Sequence, residues 1–223
     1  MRQCLIIAID GPSGAGKGTL ARTLAARLGY RHVDTGAMYR ALTLKALRAG
    51  LHPDAEGPLV ELARDTRIEL EDGGRRVRLD GQDVTSEIRS REVTIASSRV
   101  SAHPGVRRDM VERQRRLGAG GGVVLEGRDI GTAVFPDAEA KFYLDADPVK
   151  RARRRQAELR AAGSDVDLDE LEREIRSRDA ADSTRADSPL TRAEGAILVD
   201  TTELAPAEVV DRMASVVAAW REG

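Results

Sequence analysis

Asparagine is absent from this 223-residue chain. The Asn-Lys-x-Asp signature with which GTPase switches read guanine is therefore excluded. A single cysteine, Cys4, rules out an internal disulfide. Its place in an apolar run predicts a buried thiol and suits a reducing cytoplasm. Aromatic side chains make up only 3% of the chain, and the net charge is −1. Stacking platforms and a general basic field for nucleic acid are both missing. No apolar run approaches the roughly 20 residues of a membrane-spanning helix. The first apolar run starts at Cys4, so no signal peptide is expected. Lysine is scarce: positions 17, 45, 141 and 150 are the four, leaving 32 arginines among 36 basic side chains. With alanine also frequent, that bias reads as the codon usage of a GC-rich genome and says nothing by itself about ligands. Hydrophobic residues at 41% and charged residues at 33% suit one α/β domain with a small insertion. There is no internal repeat or low-complexity tract.

The stretch that organises the chain is Asp10-Gly11-Pro12-Ser13-Gly14-Ala15-Gly16-Lys17-Gly18-Thr19. Before it, Cys4 to Ile9 reads as a strand buried on both faces. After it, Leu20, Leu24 and Leu28 recur on one helical face that Gly29 closes. A glycine-rich loop joining a buried strand to a helix start is a phosphate-binding loop. Its glycines let successive N–H groups turn inward, the helix N-terminus adds positive potential, and Lys17 supplies a mobile charge for the β- and γ-phosphates. Gly18 stands where the pattern usually has Ser or Thr, which weakens any assignment of a magnesium-binding hydroxyl there.

Further along, Tyr30 to Asp34 predicts a short strand, and Thr35 to about Ala49 a helix stopped by Gly50. Thr35 and Arg40 sit at that strand's carboxyl end, where open α/β sheets bind ligands. On the residues alone they are either anion-binding groups or a helix cap and a surface arginine. Arg67 to Glu71, a turn at Asp72-Gly73-Gly74, and Arg75 to Leu79 predict a β-hairpin, with Val84 starting a third short strand. A hairpin inside a parallel α/β pattern is an insertion, over about residues 60–105. Arg91–Ser101 and Pro104–Leu117 predict helices. Gly121 to Glu126 is a second buried strand ending in an acid, and Glu126 is a candidate for reaching a phosphate-bound metal through water. Lys141–Asp145 and Ala196–Asp200 predict further buried strands. Helices follow Asp147-Pro148 and Asp167, joined by Ala162-Gly163-Ser164, and a last helix runs from Pro206 to Trp220. Arg151, Arg154 and Arg155 share one face of the first; Arg178, Asp182 and Arg185 share one face of the second. Residues 151–185 are therefore either a lid over phosphates or a solvated, salt-bridged helical hairpin. Five apolar strands separated by helices imply a parallel sheet with helices on both faces.

Taken together, these segments resemble the bacterial cytidylate kinase family of phosphate-loop kinases, along essentially the whole chain. The resemblance rests on the loop from Ile9 to Thr19 and on Asp34-Thr35-Gly36-Ala37-Met38-Tyr39-Arg40. It rests most specifically on Glu126-Gly127-Arg128-Asp129-Ile130-Gly131-Thr132 with Val134-Phe135-Pro136. Some members carry Asp in place of Glu126, and Ser is common in place of Thr35. An enlarged monophosphate-binding lobe in that family agrees with the hairpin insertion.

The resemblance implies transfer of the ATP γ-phosphoryl group to CMP or dCMP, with Mg²⁺ carried in by ATP. It assigns ATP to Gly11, Pro12, Ser13, Gly14, Ala15, Gly16, Lys17, Gly18 and Thr19, with Arg154 near the base and phosphates. It assigns the CMP phosphate to Arg40, Arg128 and Arg178 beside Thr35, and the sugar to Asp182. Ser98, Arg107, Asp129 and Arg185 would read cytosine. Lys17, Arg128 and Arg178 would be the catalytic charges. A cytoplasmic monomer without nucleic-acid or membrane partners is expected. The alternatives are a kinase of the same architecture acting on UMP, AMP or a non-nucleotide acceptor, and a nucleic-acid binder using the Arg151–Arg155 face.

Overall fold

The computed structural model describes residues 4–161 and 163–222. Residues 1–3 and Ala162, the latter expected in the turn between the two lid helices, lie outside the described residues. In chain order the regular elements are β1 (Ile6–Asp10), α1 (Lys17–Leu28), β2 (Arg31–Asp34), α2 (Thr35–Arg48), α3 (Glu56–Arg64), β3 (Ile68–Glu71), β4 (Arg76–Leu79) and β5 (Gln82–Asp83). They continue as α4 (Arg91–Val100), α5 (Pro104–Gly118), β6 (Val123–Glu126), β7 (Ala140–Asp145), α6 (Pro148–Ala161), α7 (Leu168–Thr184), β8 (Ile197–Asp200) and α8 (Pro206–Glu222).

Five strands form one parallel sheet in the order β2-β6-β1-β7-β8. The central strand β1 is apolar because both of its faces are covered, and Ile7, Ala8 and Ile9 are fully buried. On one face, Leu20 and Leu24 of α1 and Val210, Met213 and Val217 of α8 pack against Ile7, Phe142 and Leu144. On the other, Ala8, Val123 and Leu125 meet Ile130 and Val134. The carboxyl ends of β1, β2, β6 and β7 thus open on one edge, the place where such sheets bind ligands.

The insertion is a three-stranded antiparallel sheet, β3-β4-β5, whose Val77 and Leu79 pack with Val84, Ile88 and Val93 against Ala37, Ala41 and Leu44 of α2. A third lobe strand was expected to start at Val84; it is instead Gln82–Asp83, and Val84 only returns one backbone bond to Val77. Helix α3 was not foreseen. Gly57-Pro58 resembles a break, yet it lies in the first helical turn, where Pro loses no intrahelical bond.

Two predicted burials fail. Cys4 is exposed and precedes β1. Strand β8 is the sheet edge, and of its residues only Val199 is buried. Leu198 faces solvent at 52% exposure. An apolar run reports strand-forming residues, and an edge strand needs them on one side only.

Helices α6 and α7 pack as a hairpin on Ala152, Leu159, Leu171 and Ile175. The hairpin reaches the lobe directly: Arg91 of α4 pairs with Glu170 and Glu174 of α7. No described helix is long and apolar enough to cross a membrane.

Candidate active site

The loop after β1 takes the shape its glycines permit. Gly11, Gly14 and Gly16 all have positive φ, and a side chain at Gly11 would collide with the Leu144 carbonyl. Lys17 opens α1 buried, and its Nζ donates to the Pro12 carbonyl at 2.6 Å, closing the loop on itself. Burial pushes its ammonium well below the usual lysine range, and Arg128 adds to the effect.

Arg128 follows β6, and its Nε donates to Asp182 of α7 at 2.9 Å. Burial would lower the Arg128 pKa, but Asp182 more than offsets it. Asp182 in turn is held below the ordinary carboxylate range; its burial opposes this, and Arg128 and Arg178 outweigh the burial. Arg178, four residues earlier on the same helix face, makes no hydrogen bond or ion pair with a described residue, and its Nε is buried without a partner. Burial, then Arg128, pull its pKa down to about 10. Arg40, in the second turn of α2, donates to Asp34 at 3.0 Å, while its Nε is also buried and unpaired. Lys17, Arg128, Arg178 and Arg40 therefore stand close enough together to act on one another electrostatically.

Beside them lies a second, deeper cluster. Arg107 of α5 is 2% exposed, pairs with Asp129, stacks over Tyr39 at 5.8 Å, and has Asp187 at 3.9 Å. Arg185, capping α7, stands 3.9 Å from both Asp129 and Asp182, with Nη2 buried and without a hydrogen-bond partner. The two clusters join through Asp182.

The walls of the site are bound to one another. Asp10, at the end of β1, accepts from the Ile130 and Gly131 amides, both at 2.8 Å, and so fixes the segment that carries Arg128 and Asp129. Burial raises the Asp10 pKa to about 6. Arg151 of α6 was expected to face phosphates together with Arg154 and Arg155; it is buried instead, donating to the Ala146 and Ser13 carbonyls at 2.9 Å each and pairing with Asp179 at 2.5 Å. Arg154 donates to Thr201, whose hydroxyl lies 3.1 Å from the Ala15 carbonyl, so it flanks the loop from outside. Arg155 pairs with Glu158 on the surface.

The sequence pattern of the cytidylate kinase family matches residues 7–219. The cytidylate kinase of Syntrophotalea carbinolica is 54% identical over 220 residues, covering 98% of this chain and 94% of that protein. That of a Geobacillus species is 52% identical over 219 residues, covering 97% and 98%. The chain belongs to the cytidylate kinase family. The fold is shared more widely: a gluconokinase from Sinorhizobium meliloti superposes with a TM-score of 0.51 at 14% identity, covering 100% of this chain and 96% of that one.

In this chain the fold brings together the glycine-rich loop, Arg40, Arg128, Arg178 and Asp182 in one place, and Arg107, Asp129 and Arg185 in the adjoining one. Thr35 lies between them, donating to the Glu126 carbonyl at 2.7 Å, so its hydroxyl proton is already used. Ser98 is half-buried on α4, and its hydroxyl bonds to no described residue. Asp10, His32, Asp179 and Asp187 were not foreseen as part of the site. Asp34 carried a detectable signal as a helix cap, and its carboxylate does accept from the Ala37 amide. The others act across tertiary contacts that no local pattern announces.

Among the described residues, no group of three or more His, Cys, Asp or Glu side chains could hold a metal alone. The donor set fits Mg²⁺ of the kind that keeps its waters and arrives on phosphates, with Glu126 as the nearby acid. A side chain at Gly18 would meet the Glu126 carboxylate at 3.3 Å, which places that acid beside the first turn of α1.

Proposed function

We propose that this protein transfers the γ-phosphoryl group of ATP to the phosphate of CMP, and of dCMP, giving ADP and CDP or dCDP. The observation that carries the reading is a pair of buried arginine donors beside the phosphate loop: Arg40 and Arg178 each present a buried Nε–H without a hydrogen-bond partner. Buried donors left unsatisfied are costly, and phosphate oxygens are the acceptors that would satisfy them.

The loop amides and Lys17 hold the ATP phosphates. Arg40, Arg128 and Arg178 hold the CMP phosphate, each with a planar fork suited to two oxygens. The attacking oxygen is already anionic, so no strong general base is required. Catalysis comes from alignment of two polyanions and from charge neutralisation at the transferring group by Lys17, Arg128 and Arg178. Mg²⁺ arriving on ATP would be held near Glu126 and would supply further neutralisation of phosphate charge. Helices α6 and α7 exclude water, which would otherwise hydrolyse ATP.

Asp182 accepts from the sugar hydroxyls. Asp129 accepts from the exocyclic amine of cytosine, while Arg107, Arg185 and Ser98 donate to the ring nitrogen and carbonyl. Uracil offers a carbonyl where cytosine offers the amine, so a carboxylate repels it and loses its own bond.

A panel of CMP, dCMP, UMP, AMP and non-nucleotide acceptors, with ATP and Mg²⁺ and coupled detection of ADP, tests the reading. Turnover with CMP well above UMP and AMP is expected. A preference for another acceptor would refute it.

A further inference from the structure

His32 has no part in the roles above, yet it is buried at the heart of the site, its side chain 3% exposed. It lies on β2, one strand over from β6, and its Nε2 is 2.9 Å from Glu126 Oε1. Its Nδ1 is 3.0 Å from the carbonyl of Gly73, in the hairpin turn of the inserted lobe. Carbonyl and carboxylate oxygens both accept. With Glu126 ionised, one imidazole can serve both only if both ring nitrogens carry protons. Burial opposes that charge, and the Glu126 carboxylate outweighs the burial and holds the ring above the usual histidine range.

Two glycines frame the pair. At Gly18, where phosphate loops usually carry a hydroxyl, an added Cβ would lie 3.3 Å from Glu126 Oε1 and 3.6 Å from Oε2. The Glu126 carboxylate thus occupies the ground a loop side chain would take. At Gly74 an added Cβ would come 2.8 Å from His32 Nδ1, so the lobe's turn rests directly on the ring.

We propose that His32 is a positioning residue for phosphoryl transfer: it fixes the Glu126 carboxylate against the first turn of α1 and anchors the lobe's hairpin turn to that same point. The role rests on the kinase reading given above. Glu126 by itself is a flexible side chain with three rotatable bonds; the second hydrogen bond of His32, to Gly73, makes its direction a property of the fold. Groups oriented in this way usually matter nearly as much as the groups they orient.

The test is a double-mutant cycle with His32→Leu, Glu126→Gln and the pair, read as kcat and KM for CMP and for ATP. His32→Leu lowers kcat by about 10-fold, the lower end for lost outer-shell partners, with KM for CMP within about twofold. Added to Glu126→Gln, the same change costs little more, because its effect runs through that carboxylate. His32→Gln, which keeps a donor toward Glu126, recovers part of kcat. An unchanged kcat in folded His32→Leu, or losses that simply add in the pair, overturns the proposal. Should His32→Leu not fold, ¹⁵N spectra of the wild-type ring decide: a proton on Nε2 hydrogen-bonded to Glu126 is expected, and an Nε2 without a proton overturns the proposal. A wild-type protein without phosphotransfer activity would sink the kinase reading, while the ring's protonation state would still be measured independently.

Discussion

The carboxylate of Asp179, on α7, accepts a hydrogen bond from the main-chain N–H of Ser13 in the phosphate loop at 3.2 Å. Arg151, from α6, donates to the carbonyl of the same Ser13 and pairs with the same Asp179. Helices α6 and α7 therefore hold the two peptide groups that flank Ser13, and the position of this helical hairpin is linked to the geometry of the loop.

Asp179→Ala breaks that link at a residue that is not itself assigned to substrate. KM for ATP should rise several-fold and kcat should fall, while KM for CMP moves less. Hydrogen exchange at residues 11–16 should quicken. Unchanged exchange and kinetics would show that the contact couples nothing. Arg151→Ala removes a buried cation from three partners, and a loss of about 3 kcal/mol in stability is expected from denaturant unfolding.

Lys17 ends the glycine-rich loop, and its Nζ folds back onto the Pro12 carbonyl. Lys17→Ala should reduce phosphoryl transfer by about 10²–10³-fold, the scale for removing one transition-state donor, and leave CMP binding by calorimetry nearly intact. A variant that keeps its turnover would contradict the catalytic assignment.

Asp129 pairs with Arg107, so the proposed reader of cytosine is already ordered by its own counter-ion. Asp129→Ala should erode the CMP over UMP ratio of kcat/KM. It also leaves a buried arginine without its partner, and about 3 kcal/mol of stability should go with it. A ratio equal to wild type at a temperature where the variant is folded would place base reading elsewhere.

Asp10 has a pH signature. Its carboxyl titrates near 6 in the folded protein against an ordinary 3.8, because burial disfavours the charge more than the Ile130 and Gly131 amides favour it. A raised pKa means that the folded state binds the proton more tightly. The stabilisation is full below about pH 4 and is lost as pH rises through 6. Two units correspond to about 3 kcal/mol. The wild-type minus Asp10→Asn difference in unfolding free energy should fall by that order between pH 4 and 6, and carboxyl ¹³C spectra should show a titration near 6. A midpoint near 4 would refute the burial argument. Asp34 and Asp182, held below their ordinary range, act in the opposite sense and cost stability only at lower pH.

The sheet was legible because its central strands are covered on both faces, and continuous apolar runs such as Ile6–Ile9 and Val123–Leu125 record that directly. The same cue misled at Cys4 and at Ile197-Leu198, since a run does not say whether a strand end or an edge is covered. Helix α3 was hidden by Gly57-Pro58, which mark a break unless they fall in a first turn. For the site, the phosphate loop and the Arg128-Asp129 segment announce themselves as contiguous patterns. Arg151 looked like one more member of an arginine face, and among 32 arginines nothing local separates a structural clamp from a ligand. Asp10, His32 and Asp179 meet partners 94 to 166 residues away, and only the folded chain brings those pairs together.

The most direct measurement is a crystal structure with a bisubstrate analogue that joins adenosine to cytidine through a chain of phosphates. The account predicts phosphate oxygens within hydrogen-bond reach of Lys17 and of Arg40, Arg128 and Arg178 at once, with the cytosine amine on Asp129. A cytidine end lying outside the Arg107–Asp129 cluster, or phosphates that leave Arg178 still unpaired, would contradict it.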